Sequence, residues 1–326
     1  METLYIEEEV SDHPRTQEIA RRFPRAARVS IGRYTEVFNR KAQNFRLQKA
    51  RPALILARKH DHFLLPVPAG YGLGAARNFY FSHMLNCPYD CRYCFLQGMY
   101  RSAHYVVFVN YEGFQQAIEG CLGTEGEVCF FSGYDCDSLA FEPVTRFAEG
   151  FLPFFARHPR VTIELRTKSV QIEVLEREPI ANAIVAFSFT PAEISRAIEH
   201  KVPAVERRIQ AMERVAERGW KLGLRFDPLI YAEGYRDQYR RLLAAIFGRI
   251  GAEDLHSVSL GPFRLPRGYF RTVGRLYPEE PLFAGPTEER NGMISYPQAV
   301  EEELVGFCTE ELLRHVPREI LRPCRF

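Results

Sequence analysis

A chain of 326 residues, 46% hydrophobic and 26% charged, is long enough for one large or two modest domains with a substantial apolar core, which excludes a disordered protein. A formal net charge of only +2 excludes a polycation, so any affinity for nucleic acid must come from a local basic face. The acidic start METLYIEEEV lacks the pattern of a signal peptide, and no apolar run approaches the roughly 18 to 20 residues of a membrane helix. The expectation is a cytoplasmic protein with no membrane partner, whose thiols stay reduced.

In chain order, residues 1–68 read as a mixed α/β extension. HPRTQEIARRF has helical spacing, AARVSIG suits a short strand and PALILA a buried one. Between them Arg33, Arg40, Lys41, Arg46, Lys49 and Arg51 concentrate positive charge on what reads as a solvated helix face. PVPAGYGLG then interrupts the pattern, as Pro and Gly clusters do between units. From residue 79 strand-like segments (FYFSHML, EVCFFSG, VTIELRTK, AIVAFSF, KLGLRFDPLI, HSVSLGPF) alternate with helical patterns at 111–121, 142–157, 171–178, 203–218 and 235–250. Six strands alternating with helices predict parallel βα units, with the chemistry at the C-terminal strand ends. After about 265 the alternation stops; a Pro-, Gly- and Arg-rich stretch leads to a final helix near 298–315.

Three of the eight cysteines fall in CPYDCRYC, just beyond the first of these strands. Cys87, Cys91 and Cys94 have the spacing C-x3-C-x2-C on a loop where Pro88 disfavours a helix start. A structural zinc site wants four ligands, usually as two separated pairs, and no such second pair exists. Three thiolates on an iron–sulfur cluster instead leave one iron open for a substrate or cofactor. Three buried, inert thiols are the plainer reading.

The motif and its setting are similar to the radical S-adenosylmethionine superfamily, and NCPYDCRYCFLQGMYRSAHYVVFVNYEG resembles the spore photoproduct lyase family. The similarity extends through NFRLQKARPALILA, ELRTKS, AFSFTP, KVPAVERRIQAMERVAERGWKLGLRFDPLIYAEGY and VSLGPFRLP. The resemblance implies an α/β fold, a partial (βα)6 TIM-like barrel over 69–265 with the N-terminal α/β extension at 1–68 and a C-terminal helical and loop segment at 266–326 for substrate binding. It implies a 4Fe-4S cluster on Cys87, Cys91 and Cys94, and S-adenosyl-L-methionine as cofactor, cleaved to a 5′-deoxyadenosyl radical that abstracts hydrogen. The substrate it implies is DNA carrying a damaged thymine pair, and the lyase breaks its extra C–C bond. A monomer served by a small electron-donor protein such as flavodoxin or ferredoxin completes the picture.

Residue by residue, the resemblance places Lys168, at the end of the third strand, towards the cofactor carboxylate, where a lysine acts as a point charge. Ser188, at the end of the fourth strand, matches a serine that hydrogen-bonds the cofactor. Tyr93 matches a tyrosine of the radical relay. Two positions depart from the family: Phe95 stands where a second tyrosine is usual, and SGYDCD replaces the segment holding the hydrogen-donating cysteine. With Asp137 on the family's aspartate, Tyr134 falls at the donor position and Cys136 two residues on, so either can return hydrogen. If strand two reached that far, the two would share a face.

Weaker features are His60, Asp61 and His62, read as a polar turn rather than a metal site, Cys121 and Cys129 as core thiols, and Cys308 and Cys324, whose roles stay open. Arg264, Arg267, Arg271 and Arg275 interleave with Tyr269 and Phe270, which suits phosphate contacts and base wedging or equally a surface loop. A lesion-probing hairpin of the family falls near Glu289–Tyr296, without residue assignments. Two other functions stay open on sequence: the same radical chemistry on another substrate, and a nucleic-acid-binding or redox-sensing protein with a regulatory cluster.

Overall fold

The computed structural model describes residues 1–68, 72–122 and 126–324; the centre of the Pro- and Gly-rich break, 69–71, lies outside them. Six parallel strands, Arg77–Tyr80, Val128–Phe131, Val161–Thr167, Ala183–Ser188, Lys221–Leu229 and Leu255–Pro262, run in that spatial order as strands one to six of the partial barrel. Leu321–Pro323 adds a parallel strand beyond strand six, and Leu65–Pro66 an antiparallel one beside strand one. A second sheet takes Ala27–Ile31, Thr3–Glu7, Leu54–Ala57 and Tyr105–Phe108 in parallel, edged by antiparallel Met84–Leu85. Its last two strands flank the cysteine loop on either side, so the N-terminal segment holds both ends of that loop. No helix among the described residues is long and apolar enough to cross a membrane.

Alternation along the strands builds the barrel. In strand five, Leu222, Leu224 and Phe226 join the core under the helices, while Gly223, Arg225 and Asp227 occupy the opposite, inner face. Gly223 is demanded by this packing, since a Cβ there would lie 2.7 Å from the Arg225 guanidinium and 3.0 Å from Ala186 Cβ. Fully buried Arg225 binds Glu164 of strand three at 2.7 and 3.3 Å and Ser257 of strand six, and Arg166 adds a 2.9 Å bond to Glu164.

Burial pushes the Glu164 carboxyl up, but the two guanidiniums outweigh it and hold the pKa at about 2, below its ordinary 4.5. A carboxyl depressed in the folded state stabilises above its unfolded pKa, and that contribution disappears as pH falls through the folded value. We therefore expect the urea midpoint to drop more steeply between about pH 4.5 and 2 in the parent chain than in Glu164→Gln. Parallel pH profiles would show that Glu164 is not the ionised partner.

Most expected elements are present, and the exceptions have physical causes. The pattern at 142–157 is broken at Arg146, whose φ of 48° splits it into a short turn and the helix Phe147–Ala156. In place of a helix at 171–178 there is only the 3₁₀ turn Glu173–Leu175. The segment lies flat to bury Ile172 and Leu175, and the Leu175 carbonyl accepts the Trp220 indole N–H at 2.9 Å. Conversely, Arg267–Leu276, in the stretch without alternation, is a helix. Its two glycines argue against one locally, but Val273 is fully buried and Phe270 packs on Phe283, so tertiary burial overrides propensity. Glu288–Arg290 and Met293–Ser295 form a hairpin whose Asn291-Gly292 turn has φ of 51° and 76°, the backbone an Asn-Gly pair favours.

Candidate active site

The cysteine loop is fastened from three sides. The Asn86 amide donates to the Ser102 and His104 carbonyls at 2.8 and 2.7 Å, closing the loop at its root. Lys49, expected on a solvated face, is buried: its Nζ donates to the carbonyls of Cys87 and Tyr89 at 3.2 and 3.1 Å. Asp90 and Cys91 pair antiparallel with His200 and Glu199, and the Arg92 N–H donates to Ile198 at 2.9 Å. The Arg92 guanidinium binds Asp90 at 2.7 Å and Glu280 at 3.1 Å while lying 3.8 Å over the Tyr277 ring.

Cys87, Cys91, Cys94, Tyr93, Phe95, Tyr134, Cys136, Lys168 and Ser188 all line one cavity of about 150 Å³, with Asp137 and Asp227. Residues from the cysteine loop, the segment after strand two and the ends of strands three, four and five thus meet at the C-terminal mouth of the barrel. Asp137 ties two of these together, accepting from Thr167 Oγ1 at 2.7 Å and from the Lys168 N–H at 2.6 Å.

Beneath the cavity lies a network that the sequence reading did not assign. Glu199 accepts hydrogen bonds from the Tyr93 hydroxyl, from Ser195 at 2.6 Å and from Arg208 at 2.8 Å, and Lys168 Nζ is 3.6 Å away. Arg208 also donates to the Ser188 carbonyl at 2.9 Å, so one buried ion pair joins the cysteine loop to strands three and four. Burial pushes Glu199 up, but Lys168 and Arg208 overcome it and leave a carboxylate with a pKa of about 2. A signal existed: Arg208 falls on the stripe Val205, Ile209, Met212, Val215, and a cation on the core face of a helix calls for a buried partner.

Strand two ends at Phe131, so the shared-face argument for Tyr134 and Cys136 does not apply; an irregular turn brings both to the cavity. The Tyr134 ring stacks on Tyr80 with centroids 4.1 Å apart and sits 5.4 Å from Phe95. Cys136 is buried deeper, its Sγ 3.8 Å from the Ser132 carbonyl and 4.0 Å from His83 Nδ1.

The donor set suits a cluster better than a single ion. A zinc ion with bonds of about 2.3 Å would draw its sulfurs to roughly 3.8 Å of one another. Among the described residues, the one group of His, Cys, Asp and Glu whose ligand atoms all lie within 4.8 Å is Glu7, Glu9 and His60, not the cysteines. Sulfurs spread more widely fit thiolates that each take a different iron. Burial raises all three thiols, Cys87 to about 12, so they stay protonated unless a positive centre such as a metal displaces the proton. At the acidic group, Arg33 already contacts both Glu9 and His60, in keeping with a polar turn.

Of the C-terminal arginines, Arg264 is committed to Asp227 at 3.0 Å and Arg267 to Glu289 at 3.1 Å. The first is mostly buried, which removes it from the surface set suggested by sequence.

A half-barrel bearing three cysteines on the loop after strand one defines the radical S-adenosylmethionine class. The family model described as spore photoproduct lyase matches residues 75–284, and the chain belongs to that family. Its fold superposes on a substituted spore photoproduct lyase with bound AdoMet and dinucleoside spore photoproduct, with a TM-score of 0.86 at 17% identity over 100% of this chain and 98% of that one. A spore photoproduct lyase complexed with dinucleoside spore photoproduct gives 0.82 at 17% identity, again over 100% and 98%. No curated protein sequence matches the chain.

Proposed function

We propose that this protein is a radical S-adenosylmethionine lyase that reverts a thymine photoproduct in DNA, with Cys87, Cys91 and Cys94 holding a 4Fe-4S cluster. The observation that carries this reading is the single cavity in which the three cysteines meet Lys168 and Ser188 in a chain of this family. When bound, the cluster and S-adenosylmethionine supply one-electron reduction and hydrogen abstraction, for which no side chain has the redox chemistry. The chain supplies placement. Lys168 offers a cation to the cofactor carboxylate and Ser188 a hydroxyl at the neighbouring strand end. Glu199 fixes the Tyr93 hydroxyl and holds Lys168 in position.

Tyr134 is our assignment for the group that gives a hydrogen atom to the product radical; the tyrosyl radical so left would be restored by a hydrogen atom from the methyl group of 5′-deoxyadenosine. Its phenol stands against Phe95 and Tyr80, whereas the Cys136 thiol is turned towards the Ser132 carbonyl. Reconstituted protein given dithionite, S-adenosylmethionine and dinucleoside spore photoproduct is expected to release thymine. Tyr134→Phe should consume substrate yet release little thymine, while Cys136→Ala should release it normally; the reverse result moves the role to Cys136. Cofactor cleavage without any thymine would sink the substrate assignment and leave the same chemistry acting on another molecule.

A further inference from the structure

The two basic segments noted in the sequence meet across one open groove beside the cysteine loop. The Arg46 guanidinium reaches the Leu276 carbonyl at 3.1 Å and Glu279 at 3.0 Å, across 230 residues of chain. The groove, about 1180 Å³, presents Arg46, Arg101 and Arg275 with Tyr100 and Tyr269, and none of the described residues lining it is acidic. Arg101 and Arg275 are exposed and have no carboxylate partner among the described residues, whereas Arg46 is paired with Glu279. Phe45 lines both this groove and the cysteine cavity, so the two adjoin.

The groove is built into the fold. Its wall, the helix Arg267–Leu276, packs on the short helix Leu96–Met99 that follows Cys94. A Cβ at Gly98 would lie 2.9 Å from the Tyr269 carbonyl oxygen, so glycine permits the approach.

We propose that this groove seats the sugar–phosphate backbone of the DNA strand flanking the reacting thymine pair. Arg101 and Arg275 contact phosphates, and Tyr100 and Tyr269 contact sugar or base faces. The proposal rests on the function assigned above and deepens it: the cavity takes the lesion, and the polymer on one side of it must lie outside. A concave channel with cations and aromatics suits a strand, whereas a globular acidic partner would need a broad patch of about 800 Å².

The test is the double variant Arg101→Glu/Arg275→Glu, with Arg101→Ala/Arg275→Ala as a milder companion, their folding checked by far-ultraviolet circular dichroism. Fluorescence anisotropy with a labelled single-stranded oligonucleotide, across a salt series, is expected to show affinity reduced roughly tenfold or more. The slope of log affinity against log salt should be flatter by about 1.4, from two lost phosphate contacts. Turnover of the dinucleoside photoproduct, which has no flanking strand, should be unchanged. Unaltered oligonucleotide affinity and slope would overturn the proposal, as would equal losses on dinucleoside and oligonucleotide. Unaltered oligonucleotide binding with slower reduction by an acidic flavoprotein would overturn it in favour of electron-donor docking. If the parent protein fails on the dinucleoside while the variants still lose oligonucleotide binding, the lyase reading fails and the groove stands.

Discussion

Alanine at any one of Cys87, Cys91 or Cys94 is expected to leave the reconstituted protein short of iron and sulfide and to reduce S-adenosylmethionine cleavage to background. Each thiolate would hold a different iron, so no neighbour can cover for a missing one. Cys136 lines the same cavity but is a poor substitute, because its Sγ is turned towards the Ser132 carbonyl. The fold should persist, because the loop is fastened by Asn86, Lys49 and the Asp90–Cys91 pairing with Glu199 and His200 rather than by sulfur. Iron and sulfide analysis, the visible spectrum and circular dichroism check the three parts separately. Full iron content and cofactor cleavage in any of these variants would remove that cysteine from the ligand set. Cys308→Ala, a buried thiol that does not line the cavity, should keep the parent's iron content and cofactor cleavage.

The second large effect concerns stability. Arg208→Met would leave the buried Glu199 carboxylate with only Lys168, 3.6 Å away, to balance it, and breaking a fully buried ion pair costs about 3–5 kcal/mol where no other cation remains, so a loss at or below the lower end is expected. The double variant Arg208→Met/Glu199→Gln should recover a good part of that loss, because no unpaired charge of this pair remains. Urea unfolding of the parent, both single variants and the double variant closes the cycle. Strictly additive losses would show that the pair is not coupled. The single variants should also weaken S-adenosylmethionine binding, since Glu199 positions Lys168 and Tyr93 while Arg208 holds the Ser188 carbonyl.

The buried pair Arg208–Glu199 joins segments that no local pattern connects. Arg208 stood on the core face of a well-marked helix, yet its partner Glu199 lies before that helix, beyond a turn through Lys201 whose φ is 63°. Helical periodicity says which face is buried, not which loop the face will meet. Lys49 is buried for a related reason. Within its own segment it is one of six cations, and only the arrival of the cysteine loop, 38 residues later, buries it. The helix Arg267–Leu276 is not legible locally because its burial comes from surfaces elsewhere in the chain, whereas the hairpin Glu288–Ser295 falls where the family resemblance places one, near Glu289–Tyr296.

The cysteine spacing and the order of the barrel strands are legible in the chain before it folds. C-x3-C-x2-C is local and needs no fold to be recognised, and six alternating segments dictate parallel strands whose ends carry Lys168 and Ser188. What those residues face is set only when distant segments pack together. That packing set Tyr93 on Glu199, brought Tyr134 and Cys136 to the cavity by a turn rather than a strand, committed Arg264 to Asp227, and opened Arg101 and Arg275 to one groove. The difference is one of range: covalent spacing and side-chain period act over a few residues, whereas burial and ion pairing are settled by segments that meet only when the chain closes.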